Sequence, residues 1–293
     1  MHLQGSLFES PLFAAKRPKG QLLKWIGNKQ RMAEEIVSHF PTEFRSYHEP
    51  FVGSGAVLAT LAPKRAFASD SFWALMDIWT TLREKPAMLK SWYTKRWNRM
   101  AAGDKVEVYE EIKASYNRDP NGADLLFLCR AAYGGVVRFR KEDGYMSTPC
   151  GVHNPISPES FGKRVDEWHD RVQGTTFRRI GFEEAMDEAR PGDVVYCDPP
   201  YSHSQAILYG AQDFSLEKLF EVVERCKRRD VFVALSIDGR KRSGATVCDL
   251  PIPNGLFGRE VFIHVGRSML RRFQMGGQTL ESEVVHDRLL LTH

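Results

Sequence analysis

Six short apolar runs punctuate the chain: "YHEPFVG" (47–53), "RAFASD" (65–70), "VVYCDPP" (194–200), "VFVALSID" (231–238), "EVFIHVG" (260–266) and "DRLLLTH" (287–293). Each has strand length and is dominated by residues that suit a pleated, buried surface. Helical periodicity lies between several of them. In "LEKLFEVVERCKRR" (216–229), Leu219, Val222, Val223 and Cys226 form one apolar stripe. Strands alternating with helices predict an α/β domain built on a largely parallel sheet. The rhythm breaks over 81–167, which reads as helical in "WYTKRWNRM" and "VYEEIKASYN" and then as a glycine-rich loop, "YGGVVRFRKEDGYMSTPCGVHNPIS". We therefore expect a main α/β domain formed by 20–80 and 168–293, an inserted domain carrying specificity over 81–167, and an N-terminal extension over 1–19.

The run "VVYCDPPY" (194–201) ends in a carboxylate, two prolines and an aromatic ring. Two consecutive prolines lack backbone N–H groups and fix their own φ, so a strand must stop there. Asp198 and Tyr201 then flank a stiff elbow. Earlier, "EPFVGSGAV" (49–57) reads as a strand entering a glycine turn and an apolar helix. Gly53 and Gly55 permit a sharp turn and a close backbone approach to a ligand. Open α/β sheets bind ligands at the carboxyl ends of their strands. Asp70 closes the next strand, where a carboxylate can accept two hydrogen bonds from a ribose diol or cap the helix that follows. The G-x-G-x-x-G spacing of dinucleotide binders is absent.

Composition narrows the class without deciding it. The 293 residues are 42% hydrophobic and 27% charged, an ordinary globular balance that permits a sizeable core. No apolar run approaches the ~20 residues of a membrane span, and the first twenty residues lack the pattern of a secretory signal. The five cysteines are widely spaced without metal-ligand spacing, and read as free thiols in a reducing cytoplasm. The net charge of +4 is small, but basic residues interleave with aromatics in "KRWNRM", "RFRK" and "SMLRRFQ", and "CKRRD" and "GRKR" add further clusters. That distribution favours a polyanionic partner.

"LLKWIGNK" (22–29), "EPFVGSG" (49–55), Asp70 and "DPPY" (198–201), in that order, resemble the Dam-type (D12 class) DNA adenine methyltransferases. "RAAYGGVVRFRKEDGYMSTPCG" (130–151) resembles their DNA-reading segment. The resemblance covers roughly 21–293 and rests mainly on the ordered set. It implies a Rossmann-like methyltransferase fold with an inserted, mainly helical DNA-recognition domain. It also implies S-adenosylmethionine as methyl donor, double-stranded DNA as substrate, no metal, and a cytoplasmic, nucleoid-associated protein, with or without a cognate restriction endonuclease. Carried over residue by residue, Lys24, Trp25 and Lys29 would line the methionine end of the cofactor pocket. Glu49, Pro50, Phe51, Gly53 and Gly55 would shape its floor, Asp70 would hold the ribose, Phe182 of "GFEEAM" would face the cofactor adenine, and Asp198 would border the cofactor as well as the target base.

The same resemblance explains the elbow. The amine of adenine is a poor nucleophile because its lone pair is delocalised into the ring. Asp198 and the Pro199 carbonyl would accept its N–H protons, with Pro200 keeping the two acceptors rigid. Tyr201 would stack on a base flipped out of the duplex. In the inserted segment, Tyr133 would wedge or stack at the flipping site, and Arg138 would reach a base edge or a phosphate. Arg140 and Lys141 would contact phosphates, with Pro149 and His153 on the same loop. Asn28 stands where many relatives have a second glycine. Gly134 and His153 replace the Asn and Tyr of GATC-reading enzymes, which argues against a GATC target. Methylation of RNA, a catalytically inactive DNA-binding relative and a nicotinamide oxidoreductase remain the competing readings.

Overall fold

The computed structural model describes residues 15–140, 142–200, 214–241, 252–266 and 285–293. Its centre is a seven-stranded sheet of β1 (Tyr47–Glu49), β2 (Ala66–Ser69), β3 (Thr175–Arg178), β4 (Val194–Cys197), β5 (Phe232–Lys241), β6 (Arg259–Gly266) and β7 (Val285–Leu291). The order is β3-β2-β1-β4-β5-β7-β6. β1 to β5 run parallel, and β7 enters antiparallel between β5 and β6. The chain moves outward from β1 to β3 on one side and then returns to place β4 on the other. The reversal point therefore lies between β1 and β4, where sheets of this kind open a crevice at their carboxyl edge.

Both faces of the sheet are covered. Val195 and Cys197 of β4 point into a core with Val233 and Leu235. That core is closed by α8 (Phe182–Asp187) and α9 (Leu216–Arg228). The stripe expected in α9 is the buried one: Leu219, Val222, Val223 and Cys226 are all inaccessible. Val194 and Tyr196 point the other way, into a larger core with Met32, Ile36 and Val37. These come from α1 (Ala33–Ser38) and its start, and α2 (Ala56–Leu61) packs beside them.

Between β2 and β3 the chain forms α3 (Trp73–Glu84), α4 (Pro86–Ala102), α5 (Lys105–Arg118), α6 (Gly122–Ala131) and α7 (Pro158–Arg171). Asp104 and Asn121 cap α5 and α6 by accepting from backbone N–H groups of their first turns. The larger core continues from the sheet into these helices through Trp79 of α3. Its ring lies 5.7 Å from Trp168 of α7 and 5.7 Å from Phe177 of β3. Between α6 and α7, bridges Ala132↔Cys150 and Phe139↔Met146 make a short antiparallel ladder.

The helical segment also clamps the loop ahead of α1. Arg130 of α6 donates to the carbonyls of Gln21 and Leu22, Arg164 of α7 to Gln21, and Trp168 to Gly20. The four described cysteines, Cys129, Cys150, Cys197 and Cys226, are free thiols. Among the described residues no helix is long and apolar enough to cross a membrane, and no cluster of His, Cys, Asp or Glu is placed to hold a metal.

Candidate active site

A cavity of about 350 Å³ opens at the carboxyl ends of β1, β2 and β4. The loop ahead of α1 supplies Trp25, Ile26, Gly27 and Lys29, the turn after β1 supplies Glu49 to Ser54, and the end of β2 supplies Asp70, Ser71 and Phe72. Phe182, Tyr196, Asp198, Pro200 and Phe214 complete the wall. Sequence positions more than a hundred residues apart thus meet because the reversal point sets β1 beside β4.

Each carboxylate here has its own environment. Asp70 accepts from the N–H of Phe72 at 3.0 Å and of Gly53 at 3.4 Å. It does not cap α3, whose N-cap is Phe72 without a side-chain hydrogen bond. Burial outweighs these backbone donors and pushes its pKa up to about 6. Glu49 is buried on β1 and accepts from the Tyr47 hydroxyl at 2.6 Å. Burial, with the neighbouring Asp198 charge, pushes it up to about 8 despite that hydrogen bond. Asp198 meets the Lys29 ammonium at 3.0 Å, and the same ammonium lies 3.3 Å from Asp287 of β7. Burial works against the Lys29 charge, but Asp198, Asp287 and Tyr196 outweigh it and raise its pKa well above the usual range.

The opposite wall is aromatic. Phe51 and Phe182 stack at 5.3 Å, and Phe214 stands edge-on to Phe51 at 5.9 Å. At Gly53, φ is +42°, a left-handed conformation that favours glycine, while an added Cβ would only touch the Trp25 ring at 3.4 Å. Asn28 accepts from the N–H of Gln30 at 2.7 Å. Only Gly27 in that turn has positive φ, so asparagine at 28 costs no backbone strain.

Two residues expected in the pocket lie elsewhere. Trp25 fills the wall, and Lys24 before it turns away against Gly135, where a Cβ would fall 2.5 Å from the Lys24 chain. Gly55, at φ +61°, begins α2 beneath the floor, and a Cβ there would fall 2.8 Å from the Trp79 ring. Its close approach is to a core indole, not to the cavity. Pro199 is buried just behind the lining. Tyr201 lies outside the described residues.

The sequence profile of the D12 class N6 adenine-specific DNA methyltransferases matches residues 25–246. That span holds every pocket element just described except Asp287. The chain belongs to this family. It is a methyltransferase that acts on adenine in DNA. It is similar to a DNA adenine methylase of Vibrio cholerae serotype O1, 28% identical over 231 residues, 73% of this chain and 79% of that one. The retron Ec67 DNA adenine methylase of Escherichia coli is 30% identical over 188 residues, 61% of this chain and 63% of its own. The Type II methyltransferase M1.LlaDCHI of Lactococcus lactis subsp. cremoris is 27% identical over 232 residues, 73% and 79% of the two chains.

Two exposed cations of the methyltransferase, Arg138 and Arg140, lie on the short ladder between α6 and α7. Val137, Phe139, Met146 and Thr148 are buried while Arg138, Arg140, Ser147 and Pro149 are exposed, a period-two alternation that puts both arginines on one face. The Arg138 N–H donates to Thr148 Oγ1 at 2.9 Å, fixing the register. Arg140 lies over the Tyr145 ring at 4.4 Å and 3.5 Å from Asp143. Tyr133 is 45% exposed, and its N–H donates to the Pro149 carbonyl. His153 is exposed on the same connection, and Lys141 lies outside the described residues. Underneath, Phe139 contacts Phe72 at 5.4 Å, and Phe72 contacts Trp25 at 6.1 Å. The ladder and the cavity therefore share an aromatic wall.

Sequence reasoning missed Tyr47, Phe214 and Asp287. Tyr47 had a local signal, since residues two apart on a strand share a face and Glu49 follows it. Asp287 had none, because its partner is reached only through the sheet order.

Proposed function

We propose that this methyltransferase takes S-adenosylmethionine in the cavity and methylates the N6 amine of an adenine flipped out of duplex DNA. The pocket chemistry fits that donor. Asp70 presents a carboxylate suited to a ribose diol, and Phe51, Phe182 and Phe214 offer flat apolar surface for a purine. Asp70 and Asp198 face the space with carboxylates that favour a cationic ligand. Trp25, Lys29, Pro50 and Gly53 would complete the enclosure. When bound, S-adenosylmethionine supplies an electrophilic methyl group on a sulfonium.

The observation that carries this reading is Asp198, which directly follows β4 at the reversal point and lines the same cavity as Asp70 and Phe182. Asp198 and the Pro199 carbonyl accept the two N–H bonds of the target amine and draw the nitrogen toward tetrahedral geometry. Pro199 and Pro200 hold these acceptors at fixed separation, so little reorganisation accompanies the reaction. Tyr201 gives the extruded base an aromatic face. The segment 81–167 serves as the target-recognition domain. Tyr133 stacks at the gap left by the flipped base, Arg138 reads a base edge, Arg140 and Lys141 hold phosphate, and Pro149 and His153 adjust the loop.

Transfer of labelled methyl from S-adenosylmethionine to duplex DNA, single-stranded DNA and RNA of one sequence tests the reaction. Incorporation into duplex adenine is expected, and preference for RNA would overturn the DNA reading. Single-molecule sequencing of host DNA after expression then gives the motif. Methylation of every copy is what a cognate restriction endonuclease would require. Arg138→Ala should cost ~1–3 kcal/mol and relax selectivity at one base pair of that motif. A uniform loss on all sequences, with a shallower salt dependence, would reassign Arg138 to phosphate.

A further inference from the structure

We propose that Asp287 is a positioning residue for methyl transfer: it holds the Lys29 ammonium from β7 and so fixes the Asp198 carboxylate that the same ammonium pairs with. This inference rests on the reading of Asp198 as acceptor for the adenine amine. Lys29 comes from an irregular turn ahead of α1, and its long stem ends in a compact charge that is only 5% exposed. Such a group takes its place from its counter-ions. Asp198 stands 3.0 Å away and Asp287 3.3 Å away.

The two counter-ions are not equivalent. Asp198 begins the elbow after β4. Asp287 is planted within β7, a strand paired on both sides, in register with Asp238 of β5 and Ile263 of β6. Leu289, Leu290 and Leu291, just beyond it, are buried and anchor the strand in the core. Asp287 is thus the fixed post and Lys29 the arm between the sheet and the reacting carboxylate. An ammonium held by Asp287 as well as by Asp198 is not drawn wholly onto Asp198, which preserves that carboxylate's strength as an acceptor. Without the Asp287 charge the ammonium would collapse onto Asp198, neutralising it and turning it with the mobile lysine stem. Turnover would suffer more than binding.

A titration signature follows. Asp198 and Tyr196 face Lys29 from β4, Asp287 faces it from β7, and Glu49 faces Asp198 from β1. Burial opposes the Lys29 charge and the carboxylates together overcome it. With Asp287 uncharged, burial keeps its full effect while one of the charges opposing it is lost, and Lys29 gives up its proton at lower pH.

The test uses the full chain with Asp287→Asn, which keeps shape and removes charge, and Asp287→Glu, which restores the charge. Steady-state methylation of duplex DNA, calorimetric binding of S-adenosylhomocysteine and the thermal midpoint are measured on each. For Asp287→Asn we expect kcat to fall roughly 10- to 100-fold, with KM for DNA and S-adenosylhomocysteine affinity retained. Its alkaline loss of kcat should begin at lower pH than in the wild type, and Asp287→Glu should recover part of both. Wild-type kcat and pH profile in the asparagine variant would overturn the proposal. Parallel loss of kcat, S-adenosylhomocysteine binding and thermal midpoint, unrelieved by glutamate, would reduce Asp287 to a fold determinant. Failure of the wild type to methylate adenine would instead overturn the functional reading, independently of either variant.

Discussion

Strand β4 is bracketed by two aspartates, Asp193 before it and Asp198 after it, and the two ends have opposite characters. Asp193 is fully buried and collects donors from every side. Arg45 binds it through Nε at 3.0 Å and Nη2 at 2.7 Å, His48 lies at 3.1 Å, and the Arg190 N–H donates at 2.9 Å. Burial opposes its charge, but these partners outweigh it and hold its pKa below the usual range. Asp198 instead lines a cavity and shares its lysine with another strand. A carboxylate saturated by its own chain can only hold loops together, whereas one facing a cavity can be used on a ligand.

The same contrast appears in acid and alkali. The Asp193 pKa is depressed, so its stabilisation is fully present above the ordinary carboxylate range and is lost as pH falls through its folded value. His48 is also lowered, by burial against the pull of Asp193, so it too favours folding at higher pH. At the carboxyl edge the sign reverses. Glu49 is raised to about 8, so its contribution is best below the ordinary glutamate pKa and is lost as pH rises through about 8. Acid loosens the amino edge of the sheet around β1 and β4, and alkali its carboxyl edge.

The largest expected effect is on turnover. Asp198→Ala should lower kcat by at least ~10³-fold, the upper scale for removing one preorganised polar group from a transition state. Its S-adenosylhomocysteine affinity should stay near that of the wild type, and substantial residual turnover would remove Asp198 from the chemistry. Asp193→Ala should do the reverse. We expect a loss of about 3 kcal/mol in denaturant unfolding, the low end for breaking a buried ion pair, because Arg45 is partly exposed and can rehydrate. The folded fraction should keep its kcat, and a catalytic defect at unchanged stability would break the comparison. Asp70→Ala should weaken S-adenosylmethionine binding by ~1.5–3 kcal/mol by calorimetry. An unchanged dissociation constant would leave Asp70 as a brace for the turns at Gly53 and Phe72. The smallest effect is Glu49→Gln, expected to raise the thermal midpoint of the ligand-free protein at mildly alkaline pH and to leave it nearly unchanged in acid. A midpoint shift of equal size at both ends would discard the titration argument.

Much of this was legible along the chain because it is local. The elbow at Asp198, the glycine turn at Gly53 and the acid at Asp70 are each written within a few residues, and the sheet order brings them together as their sequence implies. The apolar stripe of α9 likewise needs only its own periodicity. β3 was not legible. "TTFR" (175–178) is short and polar, and it becomes a strand by pairing with β2 and by Phe177 packing on Trp79. Lys24 and Gly55 sit within recognisable motifs, yet side-chain direction and the Trp79 ring decide where they face. Asp287 and Phe214 depend on contacts across the sheet and cavity, which no spacing encodes.

The position of β7 has a consequence for how the molecule comes into being. As the chain is synthesised, the glycine turn, Asp70 and the Asp-Pro-Pro elbow all emerge before Val285–Leu291. Yet β7 must slip between β5 and β6, giving each its antiparallel partner, and it carries the second counter-ion of Lys29. Early folding can build the parallel half of the sheet, but the lysine then lacks its Asp287 anchor and β5 its antiparallel partner. The ion cluster behind Asp198 is completed only after its last member leaves the ribosome, so a nascent chain holds the signature motifs well before it holds the full cluster.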